Sequence, residues 1–340
     1  MQRSPYARCG ALMKELYRKI VRSSGKITDI LPIAVILSLV LVAVGSIGTN
    51  VFQATELHQK IIALFTQDEA VGLFLSDYGL FFGIWVFAVI LIAVFPSNWP
   101  MFRAFGHNGR GNTFKALLIG LLLGFAANGF CVLMSWIMGD IKLSFHGFDL
   151  RIILGFVIMI FIQSGAEEIT DRLYLYQKLR RRYRSPWVAI VVNCAVFMAM
   201  HMGNPGFTFL AAVQLVLAAL VFSLFVHYYD SLWAAMSFHM AWNFTQNILF
   251  GLPNSGIVTK YSIFKLEAAS ARNGLFYNVN FGVEGSIGAG LVLTVIVVCM
   301  ILKNRGKGER YDYWAEMEEK CDAKREEKAR MKQFRENAGA

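Results

Sequence analysis

Residues 30–55 read ILPIAVILSLVLVAVGSIGTNVFQAT, twenty-six positions without one Asp, Glu, Lys or Arg. A helix needs about 20 mostly apolar residues to cross a bilayer core, so this stretch alone is long enough. The surrounding chain points the same way. Of its 340 residues, 56% are hydrophobic and 16% charged, and the mean hydropathy is +0.48. A soluble domain of this length carries roughly 25% charged residues. With 28 Phe and only 7 Pro, neither a disordered nor a collagen-like chain is compatible with the composition.

Further apolar stretches follow. Tyr78–Phe102 and Ala116–Gly139 lack formal charge, and Ile152–Ala166 is a shorter run ending at Glu167. The charge-free run from Ser185 to Tyr229 is interrupted at Gly203-Asn204-Pro205-Gly206, a turn signal that splits it near 187–202 and 207–228. Ser231–Leu252 and Ser286–Leu302 complete a count of about eight spans. The expected fold is an all-α, polytopic transmembrane helical bundle with both termini cytoplasmic. The division is a basic amphipathic segment 1–28, a bundle 29–302 with its motif core at 152–250, and a charged cytoplasmic tail 303–340. Lys and Arg accumulate on the cytoplasmic side of membranes. With the N-terminus inside, 27 of the 33 basic residues fall on the inner face, and Lys60, Lys142, Arg151, Lys260, Lys265 and Arg272 remain outside. Topology and anionic lipid then account for the net charge of +10, and no nucleic-acid partner is expected.

The basic start could mark a cleaved signal peptide, but its apolar run exceeds the usual 7–15 residues, which favours an uncleaved first span. Leu12, Leu16, Tyr17 and Ile20 share a helical face opposite Lys14 and Arg18, as in a helix lying on the inner leaflet. Cys9, Cys131, Cys194, Cys299 and Cys321 form no CxxC pair and suggest no disulfide framework. The tail from Lys303 reads as a solvated helix or loose segment, and the polar 253–285 segment as an outer loop.

Ionisable groups inside a bilayer cost about 2.5–3.5 kcal/mol each on insertion scales, so they need a partner or a task. At the end of the fourth span, Glu168 and Arg172 are four residues apart and can pair on one helix face. Glu167 points about 100° away. His201 ends the fifth span, while His239 and Asn243 share a face in the seventh. Interfacial solvation or interhelical hydrogen bonding would explain each group singly. Together, a carboxylate, two imidazoles and an amide from three spans make a hydrolytic set: Glu activates water, His orients it, and His with Asn stabilises an oxyanion. At 1.5 Å per residue, Glu167 falls about 24 Å from the outer end of its span and His239 about 12 Å from the inner end of its own, whereas His201 comes out nearer the outer side. Straight helices with these ends would not bring the three to one level.

Glu167-Glu168-x-x-x-Arg172, Phe197-x-x-x-His201 and His239-x-x-x-Asn243 resemble the three-motif signature of the CPBP family, the CAAX prenyl protease and bacteriocin-processing proteins also called Abi. Asn204-Pro205 after His201 and Ser231-Leu232-Trp233 before His239 agree with it. The resemblance implies an intramembrane endopeptidase of the type II CAAX protease class in a bacterial plasma membrane. Its substrate would be a membrane-associated or lipidated peptide or protein, and lipid its other partner. By that analogy Glu167 activates water with help from His201, His239 and Asn243 hold the oxyanion, and Glu168 and Arg172 support them. The resemblance leaves metal use open: a metal-free glutamate mechanism is the preferred expectation, and a divalent metal such as zinc would take Glu167, His201 and His239 as ligands. Many members have an aromatic residue before the Arg and a Gly after it, where this chain has Asp171 and Leu173. Asp171 is placed to compete for Arg172. A non-catalytic bacteriocin-immunity or scaffold protein and a proton-coupled transporter are the alternatives. Neither inverted repeats nor a spread of polar residues along the whole chain favours the transporter.

Overall fold

The computed structural model describes residues 15–307 and 311–338. Its elements are α1 (Leu31–Gln53), α2 (Glu56–Ala63), α3 (Glu69–Gly79), α4 (Phe82–Val94), α5 (Phe114–Ile137), α6 (Leu150–Glu168), α7 (Tyr176–Arg182), α8 (Pro186–Met200), α9 (Phe209–Tyr229), α10 (Leu232–Phe244), α11 (Ile287–Asn304) and α12 (Tyr313–Ala338). Among the described residues, six helical segments are long and apolar enough to cross a membrane: 31–53, 69–94, 114–137, 150–182, 209–229 and 287–304. α8 is apolar but shorter, and α10 runs on through a π-helical turn, Thr245–Leu249. The protein is therefore an all-α, multi-pass membrane bundle, with six such helices among the described residues where about eight spans were expected.

Local sequence sets the helix starts. Thr113, Asp149, Thr208, Ser231 and Ser286 each accept a hydrogen bond from a first-turn backbone N–H of α5, α6, α9, α10 and α11, removing donors that hydrocarbon would leave unpaired. α10 is the centre of the bundle, buried at every residue but Trp233. α5 can approach it closely because Gly120 and Gly124 face it. A side chain at Gly120 would meet Ser237 and Ala234, and one at Gly124 would meet Phe238 and Ala241.

The fourth span is where the structure departs most from the expected boundaries. The helix does not stop at Glu167. It continues through a π-helical turn, Ile169–Leu175, into α7, ending at Arg182. Glu167 therefore lies about 22 Å from the inner end of this segment, near its middle rather than in its cytoplasmic half. His201 and Glu167 nonetheless line one cavity.

The outer segment after α10 is partly ordered by pairing. β1 (Leu143–Phe145) and β2 (Phe264–Leu266) are antiparallel, with Ser144 opposite Lys265. Among the N-terminal residues, 15–20 are helical with Leu16, Tyr17 and Ile20 exposed, while Leu12 and Lys14 lie outside the described residues.

The C-terminal helix is not loose from its start. Trp314 is buried and its indole N–H donates to Gln177 Oε1 at 2.8 Å. Arg22 pairs with Asp312 at 2.5 Å and Glu318 at 3.2 Å, and Arg180 with Asp312 at 2.5 Å. Beyond Asp322 the helix is mostly exposed and charged, as expected of a solvated tail.

Deeper in the same inner layer, Asp29 is fully buried and receives Arg181 at 2.6 Å and Lys178 at 3.2 Å. Burial alone would raise its carboxyl pKa; the hydrogen bond and charge of Arg181, with Lys178, hold it below the ordinary value. A carboxyl depressed in the folded state contributes stability above its unfolded value, and this is lost as pH falls through the folded value. Thermal stability in detergent is thus expected to carry the full Asp29 contribution, unchanged, between pH 8 and 5. Below about pH 4 it should fall more steeply for the parent than for Asp29→Asn, which starts lower. Identical pH slopes for the two proteins would contradict the assignment.

Candidate active site

α6, α8 and α10 carry the three sequence motifs, and they bring parts of them together in one cavity of about 480 Å³. Glu167, His201, His239 and Asn243 all line it, together with Gln163, Thr170, Phe197, Phe222, Trp242 and Glu284. Among the described residues no Lys or Arg lines it.

Glu167 is held by its own helix. Gln163, one turn earlier, donates from Nε2 to Glu167 Oε1 at 2.6 Å. The other oxygen, Oε2, has no hydrogen-bond partner and stands 3.7 Å from His239 Nε2. That distance is longer than a direct hydrogen bond. Gly165 lets α6 pack this close to its neighbours, since a side chain there would run into Trp85 and Met236.

His239 is clamped from the opposite side. Its Nδ1 is 3.0 Å from Glu168 Oε1, so the carboxylate receives the Nδ1 proton and Nε2 faces Glu167. Phe222 stacks on the imidazole at 4.8 Å with rings 17° apart, fixing its plane. Glu168 also binds Arg172 at 3.3 Å, the pairing expected from the four-residue spacing. Asp171 shares that guanidinium at 3.3 Å, and Arg172 Nη2 donates to Ala219 O at 3.0 Å. Phe197 and Phe222 both pack against the guanidinium, each ring centroid 5.1 Å away. Glu168, Asp171 and Arg172 are fully buried and lie behind the cavity wall rather than on it. The π-helical turn beginning at Ile169 keeps this acid–base cluster on the inner side of Glu167.

His201 caps the end of α8, and its Nδ1 is 2.8 Å from Phe197 O. A carbonyl only accepts, so Nδ1 carries the proton and the neutral ring presents Nε2 as an acceptor. Among the described residues His201 forms no hydrogen bond or ion pair with Glu167 or His239. Phe197 packs against both imidazoles instead, at 4.6 Å and 5.9 Å. The partner that stands next to Glu167 is thus His239, whereas the resemblance assigned that place to His201. Asn243 donates from Nδ2 to Gln163 Oε1 and Ser164 Oγ, both at 3.2 Å.

The conditional metal set of Glu167, His201 and His239 does not fit an ion as arranged. Among the described residues, no group of three or more His, Cys, Asp or Glu side chains is disposed to hold one.

Gln163 and Glu284 are among the polar groups of the cavity that were not read from sequence. Gln163 was legible in principle, because it lies four residues before Glu167 and so on the same face. Glu284 lies in a loop without periodicity. It receives Trp242 Nε1–H at 3.0 Å and both the N–H and the hydroxyl of Ser255 at 2.6 Å. Its burial raises its pKa, against the pull of those donors.

No curated protein and no solved structure matches this chain. The family model described as type II CAAX prenyl endopeptidase, Rce1-like, matches residues 149–245, a segment that runs from the cap of α6 to just beyond Asn243 and holds all three motifs. Through that segment, the chain is similar to the Rce1-like, type II CAAX prenyl endopeptidases, and its long apolar helices make it a multi-pass membrane protein.

Proposed function

We propose that the chain is an intramembrane endopeptidase that hydrolyses a peptide bond in a membrane-associated or lipidated peptide or protein, using water activated by Glu167. It would act in a bacterial plasma membrane. The observation that carries this reading is the facing pair of Glu167 Oε2 and His239 Nε2, 3.7 Å apart on the wall of an enclosed cavity. One water molecule bridges groups at such a separation. Glu167 takes a proton from that water as the oxygen attacks the peptide carbonyl carbon. The negative charge that develops on the carbonyl oxygen is held by the Nε2–H of His239 in its doubly protonated form, whose Nδ1–H Glu168 accepts, and by one Asn243 Nδ2–H turned from Gln163 or Ser164. The C–N bond then breaks, and the proton on Glu167 passes to the leaving amine. His201 presents Nε2 to the same space and orients the water or the amine. Arg172 acts through Glu168, and Gln163 through Glu167; both are positioning residues.

A single turnover in ¹⁸O-labelled water separates this from attack by the carboxylate itself. The label is expected in the new carboxyl group of the peptide product and absent from Glu167 by mass spectrometry. Label in Glu167 would overturn the water mechanism, and the absence of cleavage of every membrane-associated peptide offered would overturn the hydrolytic reading.

A further inference from the structure

α9 carries a single carboxamide in an otherwise apolar stretch. From Phe209 to Val226, Gln214 and Ser223 are its only polar side chains. A polar group in hydrocarbon ordinarily finds a partner on a neighbouring helix. Gln214 is 1% exposed, yet its Oε1 has no hydrogen-bond partner among the described residues. Leaving such an acceptor unmatched within a bilayer is costly, so contact between helices does not account for it.

Its position does. Of the buried side-chain atoms without a partner among the described residues, three belong to residues that line the cavity: Glu167 Oε2, Thr170 Oγ1 and Gln214 Oε1. Glu167 belongs to the facing pair, and Thr170 follows it by three residues, in the π-helical turn. Gln214 stands apart from them, on the wall built by α9. Gln214, Ala218 and Phe222 all line the cavity, and their four-residue spacing puts them on one face of that helix. Phe222 marks the level of the reaction, because it stacks on His239 at 4.8 Å. At 1.5 Å per residue, Gln214 lies about 12 Å from Phe222 along α9, with the small side chain of Ala218 between them. An extended peptide advances about 3.3 Å per residue. A chain cleaved beside His239 and laid along this face therefore passes Gln214 three or four residues from the broken bond.

The chemistry of the side chain suits that chain. In an extended segment the N–H and C=O of one residue point to the same edge, and a neighbouring strand takes both. A carboxamide does the same, accepting through its oxygen and donating through its nitrogen. The other α9 residues on this wall, Leu215, Ala218 and Phe222, offer a peptide group no hydrogen bond from their side chains.

We propose that Gln214 is a substrate-binding residue that holds the backbone of an extended polypeptide three or four residues from the scissile bond, Oε1 accepting a backbone N–H. The substrate class is then a segment that lies extended, not helical, from the cleaved bond as far as Gln214. The word substrate rests on the hydrolytic reading above; the recognition of backbone does not.

N-methylation tests this, because it removes one backbone N–H at a time. A lipid-anchored peptide that the detergent-solubilised parent cleaves is made with a single N-methyl group at each of the four residues on either side of the cleaved bond. One position, three or four residues from that bond, is expected to lower kcat/KM about tenfold or more in the parent and less than about twofold in Gln214→Leu, whose activity on the unmodified peptide is already about tenfold down. A melting curve establishes that the variant is folded, and Gln214→Met takes its place if it is not. Equal N-methyl penalties in parent and variant at every position would overturn the proposal, as would a difference confined to the residues adjoining the cleaved bond. Binding separates this from the hydrolytic reading. The same peptides, fluorescently labelled, are titrated into Glu167→Gln and into Glu167→Gln/Gln214→Leu, and the same N-methyl group is expected to weaken binding to the first protein only. If the parent cleaves no peptide, the hydrolytic reading falls and the binding constants still decide the role of Gln214. Equal effects on both proteins, or no binding of any peptide, would overturn it.

Discussion

Glu167→Gln is expected to reduce peptide hydrolysis by about 10²–10⁴-fold, the range of a lost general base, while leaving the protein folded. The amide is nearly isosteric, and its oxygen can still accept the hydrogen bond from Gln163 Nε2 that now measures 2.6 Å. What it cannot do is take a proton from a water placed between position 167 and His239 Nε2. The measurement is kcat/KM for a fluorogenic membrane peptide in detergent, beside a melting curve. A loss of less than tenfold would remove Glu167 from the reaction, and a large fall in Tm would make the activity loss uninformative and call for Glu167→Asp instead. The histidines should separate in the same assay. His239→Ala removes the group next to Glu167 and is expected to approach the Glu167→Gln loss. His201→Ala, one aromatic ring away from that pair, is expected to cost about tenfold less than His239→Ala. The opposite order would favour the assignment drawn from the family resemblance over the one drawn from the geometry.

The largest effect on stability is expected at Arg172. Its guanidinium is fully buried between Glu168 and Asp171, donates to Ala219 O, and is flanked by two phenyl rings. Removing one partner of a buried ion pair costs about 3–5 kcal/mol, because the remaining charge is left uncompensated. Here two carboxylates would be left. Arg172→Ala is therefore expected to lower Tm by about 10 °C or more, or to prevent accumulation in the membrane. Replacing the acid as well tests the cause: Asp171→Asn/Arg172→Met should recover part of the loss, since it leaves only Glu168, which retains His239 at 3.0 Å. A melting point for Arg172→Ala within about 1 °C of the parent would show that the cluster does not support the fold.

Asp171, which breaks the family pattern, has a place in this arrangement. It does not displace Glu168 from Arg172; the guanidinium serves both acids at equal distance. Its carboxylate is buried and does not line the cavity that Glu167 lines.

The apolar runs, the basic asymmetry and the four-residue spacings of Glu168–Arg172 and His239–Asn243 were legible along the chain. Each depends on local composition or on helical period, and hydrocarbon forces the backbone into helices wherever such a run is long enough. For the same reason Gln163 could have been picked out beside Glu167. The π-helical turn that carries the fourth helix on to Arg182 was not legible, because a change of backbone period within a helix leaves no pattern in residue type. The partners of the two imidazoles and the place of Glu284 on the cavity wall were equally hidden. They depend on how helices far apart in sequence rotate and close against one another: Phe222 from α9 fixes the ring of His239, and Phe197 packs against both His201 and His239. The sequence by itself thus determined that this is a helical membrane protein with a protease-like set of polar groups. Which of those groups meet was decided by packing between helices, since proximity in a bundle is a property of several segments at once and of none alone.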